Sequence, residues 1–181
     1  DVCSSDLEVG PEGRERQREL VEAADRLGIA VMGPNCAGFA NFVDGIFAFA
    51  FLVEERERGG NIGMISQSGQ IVLGGLDSPN MGFSHVISSG NSCNVKVEDY
   101  LDFLVDDEDT KVVAAYMEGV TKPEKLVAAF QKAALKKKPV VVLKTGRSAK
   151  SQELAKSHTG SLSGADKVLR AVFKRYGVVE A

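Results

Sequence analysis

The chain has 181 residues, 44% of them hydrophobic and 26% charged, with a formal net charge of −3. That is enough for one good-sized domain, or one domain with a piece of another, and the composition is that of an ordinary globular protein. The mild acidity gives no general electrostatic reason to bind nucleic acid or an anionic membrane, and no apolar run approaches the roughly 20 residues of a membrane span.

Asp1 to Leu7 reads like an in-frame translation of a short-read sequencing adapter and is set aside from fold reasoning. The natural chain is accordingly expected to extend further upstream. From Pro11 to Leu27 the apolar positions Leu20, Val21, Ala23, Ala24 and Leu27 follow helical spacing, and Gly28 is placed to end the helix. Ile29 to Met32 reads as a short buried strand, and Gly33-Pro34-Asn35-Cys36-Ala37-Gly38 as a tight loop. Asn41 to Gly60 has no clear period and ends in the charged run Glu54 to Arg58 and a glycine pair. Residues 8–42 therefore look like the last helix and strand of a truncated domain, and residues 43–60 like a linker.

After Gly60 the pattern becomes regular. Strands are predicted at Asn61 to Ser66, Phe83 to Ser88, Lys111 to Met117 and Val140 to Leu143. Helices are predicted at Gly69 to Leu76, Val97 to Val105, Pro123 to Leu135 and about Ala165 to Tyr176. Such alternation implies right-handed crossovers and a parallel sheet covered on both faces. The fold class is α/β: a flavodoxin-like, doubly wound parallel sheet over residues 61–181. Lys136-Lys137-Lys138, at a predicted helix end, reads as a solvated basic run. Cys3, Cys36 and Cys93 lie far apart with no paired Cys or His spacing, which supports neither a zinc site nor a disulfide framework and suits a reducing cytoplasm. The acidic run Asp106 to Asp109 is expected to close a turn, and no metal site is expected.

In this fold ligands bind beyond the carboxyl ends of the strands. Ser66-Gln67-Ser68-Gly69 joins a strand to a helix, so Ser68 is either an ordinary serine cap or part of an anion site built on the free amides of the first turn. Glu118 follows a strand and is either a solvated loop residue or a carboxylate that orients an imidazole. His85 reads as structural. The stretch from Lys144 to Gly164 is long for a plain connection, and near its end Ser157-His158-Thr159-Gly160-Ser161 sets a histidine among small residues. His158 is either an exposed loop histidine or a nucleophile that carries a phosphoryl group as a phosphoramidate.

Four of these segments, in order, resemble the nucleoside-diphosphate-forming (ADP-forming) acyl-CoA synthetases, relatives of the succinyl-CoA synthetase alpha subunit. They are Gly33-Pro34-Asn35-Cys36-Ala37-Gly38, Ser66-Gln67-Ser68-Gly69, Tyr116-Met117-Glu118-Gly119, and the strand Lys138 to Arg147 followed by Ser157-His158-Thr159-Gly160. The resemblance implies that residues 8–42 are the C-terminal remnant of a Rossmann-like CoA-binding domain, with Asn35 and Cys36 near the CoA thiol. It also implies that His158 is phosphorylated, that Glu118 orients it, and that Ser66, Gln67, Ser68, Gly69 and Gly160 bind phosphate or substrate. The implied reaction is acid + CoA + ATP to acyl-CoA + ADP + phosphate. The implied partners are a small carboxylic acid, phosphate, and an ATP-grasp domain or subunit that brings ATP and magnesium, in an oligomeric full-length enzyme. Ala37 stands where some relatives have proline, a departure expected to matter little.

Two rivals come from other classes. A non-catalytic acyl-CoA-binding regulatory module of a protein acetyltransferase would share the fold, but such modules generally lack the phosphorylated histidine. A flavin-binding electron carrier would need aromatic residues in its flanking loops; the chain has no Trp, and Tyr116 falls within a strand.

Overall fold

The computed structural model describes residues 10–50, 59–145 and 166–181. The first helix, α1 (Pro11–Leu27), begins on a proline, whose missing N–H costs nothing there, and ends at Gly28 as its sequence predicts. Residues 29–32, expected to form a buried strand, do not. Their main chain is held instead mainly through one side chain: Asn94 Oδ1 accepts from the Val31 N–H at 2.9 Å, and Asn94 Nδ2 donates to the Ile29 carbonyl at 2.9 Å, while the Ile29 N–H donates to the Ala24 carbonyl. Ile29 is also half-exposed, so an apolar run here does not mark a strand buried on both faces.

A second difference lies in the stretch that showed no period. Gly38–Asn41 (β1) and Ile46–Phe49 (β2) form an antiparallel hairpin, and β1 pairs in turn with Phe83–Ser88 (β4). Asn41 shapes the turn, its Oδ1 accepting from the amides of Val43 and Asp44 at 3.0 Å each. Within residues 43–60, expected as a linker, Ile46–Phe49 and the first residues of the strand beginning at Gly59 are thus part of the sheet. The pattern is illegible because β2 is an edge strand with Ile46, Phe47 and Ala48 exposed, so no buried face imposes an alternation.

The remaining strands are Gly59–Ser66 (β3), Val112–Met117 (β5), Val140–Lys144 (β6) and the short Val179–Glu180 (β7). The sheet order is β2-β1-β4-β3-β5-β6-β7, and every pairing from β4 to β7 is parallel. Counting only the parallel strands in chain order, this is the 2-1-3-4-5 arrangement of flavodoxin-like folds. Right-handed crossovers that run in opposite directions from β3 deposit their helices on opposite faces. Gly69–Asp77 (α2), between β3 and β4, sends Val72 into a small core with Met64, Phe83 and Val86. Val97–Asp106 (α3), Pro123–Leu135 (α4) and Asp166–Tyr176 (α5) cover the other face, where Leu101, Leu104, Leu126, Phe130 and Phe173 pack on Ile65, Val113 and Val142. No helix among the described residues is long and apolar enough to cross a membrane.

At the amino ends of the strands, Asp107 closes the expected turn, Oδ2 accepting from the Thr110 N–H at 2.9 Å and hydroxyl at 2.5 Å. His85 is buried beside it, Nδ1 at 3.3 Å from Asp107 Oδ2 without hydrogen-bond geometry and its ring edge-on to Phe103. Burial raises the Asp107 carboxyl, but the bonds from Thr110 and Asp109 and the neighbouring His85 together hold it below its ordinary range. The lysine run is not simply solvated. Lys136 pairs with Asp106, and Lys138 Nζ donates to the carbonyls of Leu104 and Asp107, which ties the end of α4 to that of α3.

Candidate active site

The strand order reverses at β3, so the crevice beyond the carboxyl ends of β3 and β5 is the place where this fold opens for a ligand. Ser66 lies in register with Ser88 of β4 on one side and Tyr116 of β5 on the other, which brings the loops after all three strands to one level.

Ser66 has no exposed surface, and its hydroxyl is engaged within the loop, accepting from the Ser68 N–H at 3.0 Å and donating to the Ser68 carbonyl at 2.7 Å. Ser68 is the N-cap of α2, yet its side chain makes no capping hydrogen bond. The first intrahelical bond from the loop is Val72 N–H to the Ser68 carbonyl, so the amides of Gly69, Gln70 and Ile71 precede the ladder, and the first turn carries no acidic residue. A helix terminus of this kind attracts an anion through its amides and its dipole together.

Gln67 does something its sequence context did not indicate. Its Oε1 spans the switch point and accepts from the amides of Glu118, at 2.5 Å, and Gly119, at 3.0 Å, while the Gln67 N–H donates to the Tyr116 carbonyl. Glu118 is thereby held beside the start of α2. Its carboxylate is half-exposed and makes no hydrogen bond with another described residue. On the β6 side, the Lys144 ammonium is buried and donates to the Glu118 carbonyl at 2.8 Å and to the Thr145 carbonyl.

The Gly33–Gly38 loop sits over the end of β4. Asn91 and Cys93 donate their N–H groups to the carbonyls of Pro34 and Gly33, and the Ala37 N–H donates to Ser88 Oγ at 3.0 Å. A proline at position 37 would lack that N–H and lose this buried hydrogen bond. A methyl on Gly69 would lie 3.4 Å from Ala37 Cβ, so the Gly33–Gly38 loop reaches the start of α2 at Ala37. Burial pushes the Cys36 thiol above its ordinary range, against the pull of the backbone hydrogen bonds at Gly38 and Cys36. His158 and Gly160 lie outside the described residues. Among the described residues no group of three or more His, Cys, Asp or Glu side chains could hold a metal ion.

The two loops meet at Gly90, whose φ is +54° and whose added Cβ would fall 2.4 Å from the Pro34 oxygen and 2.5 Å from the Asn35 oxygen. Gly90→Ala is therefore expected to displace backbone as well as strain it, destabilising the chain by about 2 to 4 kcal/mol. Thermal denaturation checks this, and an unchanged midpoint would show that the loops do not depend on that approach.

Two side chains at the crevice, Glu98 and Lys144, escape a reading of the sequence. Glu98 looks like an ordinary acidic residue in a helix's first turn, and Lys144 like a strand-end lysine. Neither spacing nor composition signals that both are buried against the Glu118 loop.

Comparison with known proteins adds the chemistry of relatives. Residues 59–181 match the family described as succinyl-CoA ligase like flavodoxin domain. The chain is 40% identical over 178 residues to acetate–CoA ligase [ADP-forming] I of Archaeoglobus fulgidus, covering 96% of this chain and 25% of that protein. It is 37% identical to the alpha subunit of acetate–CoA ligase [ADP-forming] II of Pyrococcus furiosus, covering 96% of this chain and 38% of that one. Among solved structures, the dinucleotide-forming acetyl-coenzyme A synthetase 1 of Ca. Korarchaeum cryptofilum, in complex with phosphate and ADP, superposes with a TM-score of 0.80 at 31% identity, over 97% of this chain and 38% of that one. The chain thus spans between a quarter and two fifths of the length of these relatives.

Proposed function

Because this chain belongs to the family of succinyl-CoA-ligase-like flavodoxin domains, we propose that it is the part of an ADP-forming acid–CoA ligase in which phosphoryl passes between a histidine and an acyl phosphate. The observation that carries the reading is the juxtaposition, through Gln67, of an acid-free helix N-terminus and the Glu118 carboxylate at the switch point of the sheet.

In the direction of acyl-CoA synthesis, a nitrogen of His158 attacks the terminal phosphorus of ATP and ADP leaves. A carboxylate oxygen of the acid then attacks the phosphohistidine, the P–N bond breaks, and acyl phosphate forms. The CoA thiol, losing its proton, attacks the acyl carbon and inorganic phosphate departs. Glu118 accepts a hydrogen bond from the other imidazole nitrogen, fixing the ring and offsetting the positive charge that builds on it. Ser68, Gly69 and the amides that follow hold the phosphoryl group or phosphate, together with Gly160; Ser66 and Gln67 serve this site by shaping its loops. Asn35 and Cys36 lie toward the CoA thiol, on the remnant of a CoA-binding domain expected over residues 8–42, whose last strand, Gly38–Asn41, joins the flavodoxin-like sheet. ATP and magnesium come with an ATP-grasp domain or subunit, in an oligomeric enzyme of the cytoplasm, where the free thiols of Cys36 and Cys93 are at home.

Glu118→Gln retains the shape of the side chain and removes its charge, so the rate of histidine phosphorylation in the intact enzyme is expected to fall roughly tenfold to a hundredfold with the fold unchanged. Rapid-quench labelling from γ-labelled ATP measures it. A rate equal to that of the unmodified enzyme would reduce Glu118 to a loop residue.

A further inference from the structure

The Glu118 loop is held at both ends. At its start, Gln67 takes the amides of Glu118 and Gly119, and Lys144 takes the Glu118 carbonyl. At its far end, a carboxylate with no exposed surface does the same work: Glu98 Oε1 accepts from the amides of Thr121 at 2.7 Å and Lys122 at 3.0 Å. The Thr121 hydroxyl lies within 3.4 Å of both Glu98 oxygens.

We propose that Glu98 is a positioning residue of the ligase, fixing the Glu118 loop so that the Glu118 carboxylate is presented to the imidazole. The inference rests on the function proposed above. Lys122 is the N-cap of α4 and supplies no capping side chain, so Glu98, from the first turn of α3, serves that helix as a cap supplied from another element. Burying a whole carboxylate is costly unless it is fully hydrogen-bonded. Here the amides at the start of α4 and the nearby ammonium groups of Lys96 and Lys125 offset the charge. A neutral side chain on Lys122 itself would cap the helix at less cost. What the charged clamp adds is stiffness, because charge-assisted bonds are shorter and stronger than neutral ones, and it adds it three residues from Glu118.

The test is a double-mutant cycle in the intact enzyme, read as the rate of histidine phosphorylation. Glu98→Ala is expected to lower kcat about tenfold with KM for ATP unchanged. Glu98→Gln, which keeps an oxygen for the same amides, should lose only about threefold. In a Glu118→Gln background neither change should cost anything further, since a residue acting through Glu118 has nothing left to act through. That last readout separates positioning from general support of the fold. If Glu98→Ala does not fold, Glu98→Gln carries the same comparison. Equal fold-losses in both backgrounds, or full activity in a folded Glu98→Ala enzyme whose Glu118→Gln counterpart is slow, would overturn the proposal alone. A Glu118→Gln enzyme at full rate would instead overturn the role of Glu118, and this proposal with it.

Discussion

Phosphoryl label from γ-labelled ATP is expected on His158, stable to base and labile to acid, and is expected to vanish altogether in His158→Ala. The effect should be complete, because alanine offers no nucleophile, whereas a lost orienting group only slows the transfer. The chain contains two histidines. His85 cannot take the role: it is 7% exposed, its ring is wedged between Asp107 and Phe103, and it lies toward the amino ends of the strands. The crevice with Glu118 and the start of α2 is at the carboxyl ends. A phosphohistidine within this chain therefore has to be His158, the other of the two histidines. Label that persists at the same level in His158→Ala would sink the assignment, and label on the His85 peptide would sink the argument from burial as well.

The parallel strands and their helices are legible in the sequence because each has a buried face that forces apolar residues into a period. Pro123–Leu135 is an instance, with Leu126, Ala129, Phe130 and Ala133 buried at helical spacing behind an opening proline. Where burial imposes no period, legibility fails. The β1–β2 hairpin sits at the open edge of the sheet, and its registration depends on the Asn41 turn and on main-chain pairing with β4. Ile29 to Met32 fails for the converse reason, since its apolar side chains suggest a strand while the Val31 N–H and the Ile29 carbonyl bond to the side chain of Asn94, 63 residues away from Val31. The site divides in the same way. The positions of Ser68, Gly69 and Glu118, just after β3 and β5, are readable in the sequence. The side-chain-to-amide bonds that fix those places, from Gln67, Glu98 and Lys144, join residues at least 23 positions apart, and no local pattern announces them.

The 181-residue chain by itself, given acid, ATP, magnesium and CoA, is expected to make no acyl-CoA and to label no histidine. On the function proposed above, the start of α2, the Glu118 carboxylate and His158 receive a phosphoryl group and pass it on. They do not make a nucleotide site, and the chain corresponds to only 25% of the A. fulgidus relative and 38% of the P. furiosus subunit. The second of these is by name one subunit of its enzyme. Adding a cognate ATP-grasp domain or subunit in trans should therefore restore labelling of His158, since a histidine on a long segment after β6 can serve two centres that do not share a polypeptide. The restored label should disappear in His158→Ala and form more slowly in Glu118→Gln. Acyl-CoA formation by the chain alone would overthrow the division of labour argued here. A folded chain that no cognate partner labels would instead favour a domain that binds acyl-CoA without ligating it.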